Sequence, residues 1–254
     1  MKMTGNTILI TGGGSGIGRA LAESFHVLGN QVILAGRRTQ ALDETASQNA
    51  GMASFTLDIR DPAAIRSFAA RVAERFPKLN VLINNSGIMR VENFRTQQGG
   101  LADAESTIAT NLLGPLRLTA ALLGVLQKQP HSTVMNVSSG LAFVPLAYTP
   151  TYCATKAAIH SYTQSLRFQL RNSTTEVLEL IPPYVATDLL NGRSDPRAMP
   201  LDAFIAEVME ILKTQPKATE ICVERVKNLR FAAESGSYDS VFRNFNEAME
   251  NAPH

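Results

Sequence analysis

Tyr152 and Lys156 stand four positions apart in the stretch "YCATK", and no other of the five tyrosines has a lysine at that spacing. On a helix such a pair shares one face, one turn above the other. A cation beside a phenol favours the phenolate and lowers its pKa from roughly 10 toward the range where a proton donor works best. The spacing also fits a plainer arrangement, a tyrosine at the edge of the core with a lysine reaching past it to water. Polar residues that bear on the choice stand in "NNSG" (84–87) and "NVSSG" (136–140). There Asn85, Gly87 and Ser139 follow apolar runs and need partners, in a ligand or in one another. His26, His131, His160 and His254 have no clustered ligand residues around them, so no metal site is expected.

The elements that must hold these side chains follow from periodicity. Short β-branched, apolar runs at 7–11, 31–35, 53–58, 80–84, 133–138 and 176–181 predict buried strands, with a seventh at 220–224. Between them lie helical stretches at about 16–28, 39–49, 61–76, 101–128 and 152–171. Asp61 and Pro62 suit the N-cap and first position of the third helix. Strands of about five apolar residues alternating with helices call for an α/β fold, a Rossmann-like, doubly wound parallel sheet covered on both faces. No linker, repeat or low-complexity run divides the chain, and one domain over 1–254 is expected. In such sheets ligands bind beyond the carboxyl ends of the strands.

The first strand runs into "TGGGSGIG" (11–18) and then a helix. Gly12, Gly16 and Gly18 permit a tight turn and a close approach by phosphate, and the helix start offers free N–H groups. The spacing departs from strict G-x-G-x-x-G. The second strand ends in "AGRR". Gly36 stands where an acid would hold a ribose 2′-hydroxyl, and Arg37 and Arg38 follow, which favours NADP(H) over NAD(H); a solvated basic turn is the other reading.

Composition narrows the classes. The 254 residues are 44% hydrophobic and 18% charged, enough for a full core. Twenty-four basic against 22 acidic residues leave a net charge of +2, too balanced for a nucleic-acid surface. Cys153 and Cys222 make no ligand pattern and fit a reducing, cytoplasmic setting. The start "MKMTGNTILI" reads as no signal peptide, and no apolar run is taken to be long enough to span a bilayer.

Together, in order, these residues resemble the short-chain dehydrogenase/reductase family over about residues 5 to 190. "TGGGSGIG" resembles its cofactor turn; "NNSG" its NNAG motif, with Ser86 for Ala; Asn111 in "NLLG" its helix asparagine; "YCATK" its YxxxK. Ser139 lies thirteen positions before Tyr152, the usual family spacing, and "PPYVAT" resembles PGxxxT, with Pro183 for Gly. "SSGLAFVPLAYTPTYCATKAAIHS" looks like the DltE-like oxidoreductases of the family. The resemblance implies an NADP(H)-dependent oxidoreductase acting on a carbonyl or secondary alcohol. Tyr152 would be general acid or base, Lys156 would lower its pKa and hold the nicotinamide ribose, Ser139 would bind the substrate oxygen, and Asn111 would stabilise a water chain to the lysine. Ser15 and Ile17 would join the glycines at the cofactor, with Asn85 and Gly87 along it, Asp58 near the adenine, and Val185 and Thr187 near the carboxamide.

Phe143, Val144, Leu146, Tyr148, Tyr184, Leu189, Leu190 and Met89 are expected around the substrate, with a loop over about 188–203, and suit an apolar ketone. A catalytically idle NADP-binding sensor or scaffold, or a 3-oxoacyl carrier-protein reductase, are the alternatives. The helices 101–128 and 152–171 suit a homodimer. The tail 224–254 departs from the family. Val241, Phe242, Phe245, Ala248 and Met249 recur in it at helical spacing, an apolar face to be buried on its own domain, a second subunit or the pocket mouth.

Overall fold

The computed structural model describes residues 1–94, 101–189 and 195–250. Seven strands form one parallel sheet: β1 (Thr7–Thr11), β2 (Gln31–Gly36), β3 (Ala53–Thr56), β4 (Val81–Asn84), β5 (Ser132–Val137), β6 (Thr175–Ile181) and β7 (Glu220–Cys222). Their order is β3-β2-β1-β4-β5-β6-β7, with every neighbouring pair parallel. The chain winds outward from β1 to β3, returns beside β1 as β4, and winds the other way. The crevice between β1 and β4 is therefore the switch point at which doubly wound sheets bind ligands.

Alternation along the strands separates two cores. In β1, Ile8 and Ile10 join one cluster while Leu9 joins the other. The first cluster is closed by α1 (Gly16–Val27), α2 (Thr39–Gln48) and α7 (Leu201–Thr214). The second is closed by α3 (Pro62–Arg75), α5 (Gly114–Leu126) and α6 (Pro150–Leu170), whose Phe68, Leu118 and Leu166 meet Leu82 and Val134. Burial on both faces explains why the strands read as unbroken apolar runs. As expected, Asp61 caps α3: its Oδ1 accepts from the N–H groups of Ala63 and Ala64 at 2.7 and 3.2 Å, and Pro62 follows.

The predicted single helix over 101–128 is three pieces: α4 (Leu101–Ile108), a π-turn (Ala109–Leu113) and α5. Pro115 has no N–H to offer the carbonyl of Asn111 four residues earlier, so the helix widens just before it. By length and composition Leu101–Leu126 is apolar enough to cross a bilayer, contrary to the reading of the sequence. It nevertheless buries Thr107, Thr110, Asn111 and Thr119 within the fold.

At the opposite end of the sheet from the switch point, three asparagines join the strand starts. Asn6 donates from its backbone and side chain to Asn30 Oδ1 at 2.9 and 3.0 Å, and Asn80 Nδ2 donates to Asn6 Oδ1 at 3.0 Å. Asn80 Oδ1 in turn accepts from Thr7 N at 2.9 Å. The chain finishes with the short α8 (Lys227–Arg230) and an amphipathic α9 (Tyr238–Glu250).

Candidate functional site

A cleft of about 1980 Å³ opens over the carboxyl ends of β1, β4, β5 and β6. That is roughly twice the upper end of ordinary small-molecule sites, room for two molecules side by side. One side is made of backbone. Gly12 turns at φ +71, and a Cβ there would lie 2.8 Å from Asn85 Nδ2. A Cβ on Gly18 would lie 2.4 Å from both Asn85 Nδ2 and the Gly12 carbonyl, so only glycine lets helix and turn meet. Thr11 ties this turn to the end of β4: its Oγ1 accepts from Asn85 N and Ser86 N at 3.0 Å each, and its carbonyl accepts from Asn85 Nδ2 at 2.9 Å. Asn85 thereby braces the glycine turn.

The start of α1 lacks a side-chain cap and has no acid in its first turn; the Ser15 hydroxyl accepts instead from Arg38. Gly12, Ser15, Gly16, Ile17, Arg37 and Arg38 all line the cleft. Uncapped N–H groups beside two exposed guanidinium groups form a site for phosphate. Two buried hydroxyls on the same cleft, Ser138 Oγ and Thr110 Oγ1, have no partner among the described residues. An uncapped helix start, a turn without Cβ atoms and unpaired hydroxyls fit a dinucleotide cofactor. Asp58, expected near the adenine, stands between the cleft-lining Leu57 and Ile59. Arg60, two residues on, grips its carboxylate at 2.6–3.1 Å and lowers its pKa, against a smaller opposing effect of burial.

The floor brings together Ser139, Tyr152 and Lys156. Ser139 follows β5 and accepts from Leu141 N at 3.1 Å, and its hydroxyl lies near enough to the Tyr152 phenol to lower its pKa. Tyr152 and Lys156 occupy one face of α6, with Nζ 5.5 Å from the phenol ring centroid, and both are buried. Lys156 Nζ donates to the Val137 carbonyl at 2.7 Å. Glu92 anchors the start of α6 by accepting from Thr151 N and Oγ1 at 3.1 and 2.8 Å. Asn111, presented by the π-turn, uses its amide on Ile88: Oδ1 accepts from Ile88 N at 2.9 Å and Nδ2 donates to Ile88 O at 2.8 Å. It also reaches Thr155 Oγ1 at 3.3 Å, so it shapes the 85–88 segment beside Gly87.

The phenol does not show the lowering foreseen from Lys156. Burial, the larger cause, pushes it well above its ordinary value, and the nearby Ser139 hydroxyl opposes this only in part. Burial also weakens the lysine's hold on its own proton, lowering it to about 8, while the nearby Glu179 carboxylate pulls the other way.

The second side of the cleft is made of side chains. Met89, Leu141, Leu146, Tyr148, Tyr184 and Leu189 line it, as do Val185 and Thr187. Phe143 and Val144, expected here, face elsewhere. Phe143 packs edge-on against His160 at 4.6 Å, and Val144 is wholly buried. Leu190 and residues 191–194 lie outside the described residues. The tail's three open placements resolve at the mouth. Phe245 and Met249 of α9 join Met89, Leu146, Tyr152 and Cys153 in one cluster and line the cleft. Asn246 pins α9 there, accepting from Ala147 N at 2.6 Å and donating to Pro145 O at 3.1 Å. The pair Asp195–Arg197, at 2.6–3.1 Å, went unnoticed in the sequence despite its i,i+2 spacing; Asp195 also accepts from the Tyr184 hydroxyl at 3.2 Å.

Nor does the absence of sequence neighbours hold for every histidine. The fold sets ligand-type atoms of His160, Glu179 and Glu220 within 4.8 Å of one another. Arg230 already supplies the cation there, donating to Glu220 from Nε at 2.7 Å and Nη2 at 3.2 Å.

Comparison with known proteins agrees with this geometry. The family model for short chain dehydrogenase matches residues 6–198. The uncharacterized oxidoreductase DltE of Bacillus subtilis is 38% identical over 97% of this chain and 98% of its own length. An NADP-dependent 3-hydroxy acid dehydrogenase of Schizosaccharomyces pombe is 30% identical over 74% of each. The solved structure of a short-chain dehydrogenase from Sphingobium yanoikuyae in complex with NADPH superposes with a TM-score of 0.79, at 24% identity, over 98% of this chain and 96% of that one, a likeness of fold.

Proposed function

From the premise that the chain belongs to the short-chain dehydrogenase family, and is a nicotinamide-dependent oxidoreductase of its DltE-like branch, we propose that it reduces an uncharged, apolar ketone with NADPH, or oxidises the corresponding alcohol. The observation that carries the reading is the convergence of Ser139, Tyr152 and Lys156, with Nζ 5.5 Å from the phenol ring centroid, on the floor of a cleft whose other side fits a dinucleotide. When bound, the cofactor supplies or accepts the hydride. In reduction, Ser139 Oγ donates to the substrate oxygen and orients it toward Tyr152. The Tyr152 hydroxyl then delivers its proton to that oxygen. The phenolate left behind is favoured by a charged Lys156, which also holds the nicotinamide ribose. Asn111 acts through Ile88 by fixing the segment that bears Gly87.

Three features support the finer parts. Arg37 and Arg38 at the end of β2, with no carboxylate at Gly36, suit the 2′-phosphate of NADP(H), and a relative at 30% identity is named NADP-dependent. On the substrate side, Met89, Leu146, Phe245 and Met249 are apolar, and Asp195 neutralises Arg197. The exposed Ile108, Leu113 and Phe168 on α4, the π-turn and α6 would be covered in a homodimer, which light scattering checks. A cytoplasmic setting fits two free cysteines.

The test is reduction of a panel of ketones with NADPH, followed at the nicotinamide absorbance, with wild type and Tyr152→Phe. Turnover by the wild type on apolar ketones should fall roughly 10²- to 10⁴-fold in the variant, with NADPH binding retained. Comparable turnover by the variant would remove Tyr152 as the proton donor.

A further inference from the structure

Glu179 of β6 has no solvent exposure, an unusual position for a carboxylate, which is costly to bury without compensation. Its oxygens lie 2.8 and 3.1 Å from His160 Nδ1. A carboxylate only accepts, so Nδ1 carries the proton and donates. His160 is one helical turn beyond Lys156 on α6, and the buried Lys156 Nζ donates to the carbonyl of Val137, which pairs across the ladder with Leu180, the residue after Glu179.

The charges around Glu179 are few. Glu220 stands opposite it across the β6–β7 ladder, with Cys222 two residues further on β7. Arg230 of α8 faces Glu220, and its Nη1 donates to Glu234 at 2.6 Å. Arg230 is thus matched by two other carboxylates. What remains for Glu179 is the imidazole of His160 and the ammonium of Lys156.

Resting on the catalytic reading above, we propose that Glu179 is the counter-charge that keeps Lys156 an ammonium ion during turnover, and that His160 is the clamp that aims it. Both are positioning residues: neither lines the cleft, and each acts through the lysine. Glu179 is the charge that opposes burial at Lys156, so its removal lets the lysine lose its proton at lower pH. His160 also packs edge-on against Phe143, in the segment after Ser139, so the clamp is held by packing as well as by the carboxylate.

The experiment has one readout that does not depend on turnover. Full-length protein labelled at lysine Cε with ¹³C is titrated by NMR, with Lys156→Met identifying the resonance. In Glu179→Gln, Lys156 should titrate about one pH unit lower than in wild type. Glu179→Asp, which keeps the charge but draws it back by one methylene, should give a smaller shift in the same direction, and serves if the glutamine variant does not fold. His160→Asn, whose Nδ2 can stand where Nδ1 stood, should leave the titration near that of the wild type. The pH profile of kcat/KM for ketone reduction is the second readout. Its alkaline limb should move to lower pH in Glu179→Gln, with activity near wild type at pH 6 and about fivefold lower at pH 8. Unchanged Lys156 titration in both Glu179 variants overturns the proposal, as does an activity lowered equally at every pH. A shifted titration together with an active Tyr152→Phe would uphold the coupling while refuting the catalytic reading.

Discussion

The two sides of the cleft are built from different materials. From Gly12 to Arg38 and along 84–87, the wall is main chain: glycines without room for a Cβ, an uncapped helix start, and strand ends tied through Thr11. Across the floor, from Leu141 to Tyr148, from Tyr184 to Leu189 and on α9, the wall is side chain. It is apolar, half-buried, and held to its neighbours by a few bonds such as those of Asn246. A backbone wall admits one shape of ligand and tolerates little change. A side-chain wall can be recut residue by residue while the reaction centre stays in place.

The sharpest way to break this contrast is at Gly18. Alanine there would drive its Cβ to 2.4 Å from the Gly12 carbonyl, which is backbone and cannot swing aside. Overpacking of this kind costs about 1–3 kcal/mol, several degrees in Tm for a chain of this size, and cofactor affinity should fall by about two orders of magnitude with the distorted turn. Retained NADPH binding, read by fluorescence titration, would show that the turn yields. The next effect separates cofactors. Replacing Arg37 and Arg38 together with alanine should weaken NADPH about 10- to 100-fold and leave NADH within a few-fold, because each lost contact to the 2′-phosphate is a charge-assisted hydrogen bond. Equal losses for the two cofactors would move those arginines off the 2′-phosphate. The smallest effect belongs to the side-chain wall. Phe245→Ala removes part of the mouth and should raise KM for apolar ketones about tenfold, with kcat and NADPH affinity little changed. A large fall in kcat would mean that α9 shapes the floor as well as the rim.

What could be read ahead of the structure was what lies close in the chain. The glycine turn, the Ser139–Tyr152–Lys156 set, the cap at Asp61 and the apolar strands all rest on neighbours within a turn, a strand or a short segment. Asn111 was placed on a helix, but not on a π-turn, because the widening depends on Pro115 and on what the helix meets. Asp58 was set near the adenine by resemblance, but the grip of Arg60, two residues on, was not foreseen. The tail's apolar stripe was visible, yet its destination required knowing that Asn246 would meet residues 145–147, about a hundred positions earlier. The Glu179–His160 pair joins a strand to a helix nineteen residues before it and has no signature in spacing alone.

The asparagines at the far end of the sheet carry a consequence for how the molecule opens. Asn6 bonds partners 24 and 74 residues away, and so staples the starts of β1, β2 and β4 at the end of the sheet away from the cleft. Those strand starts can part only if all three segments separate together, so their amide protons should exchange with deuterium only through global unfolding. The amides of α9, by contrast, belong to a surface helix with no fully buried residue and should exchange through local opening, many orders faster. The mouth can then admit and release substrate while the slowest-exchanging part of the chain stays shut.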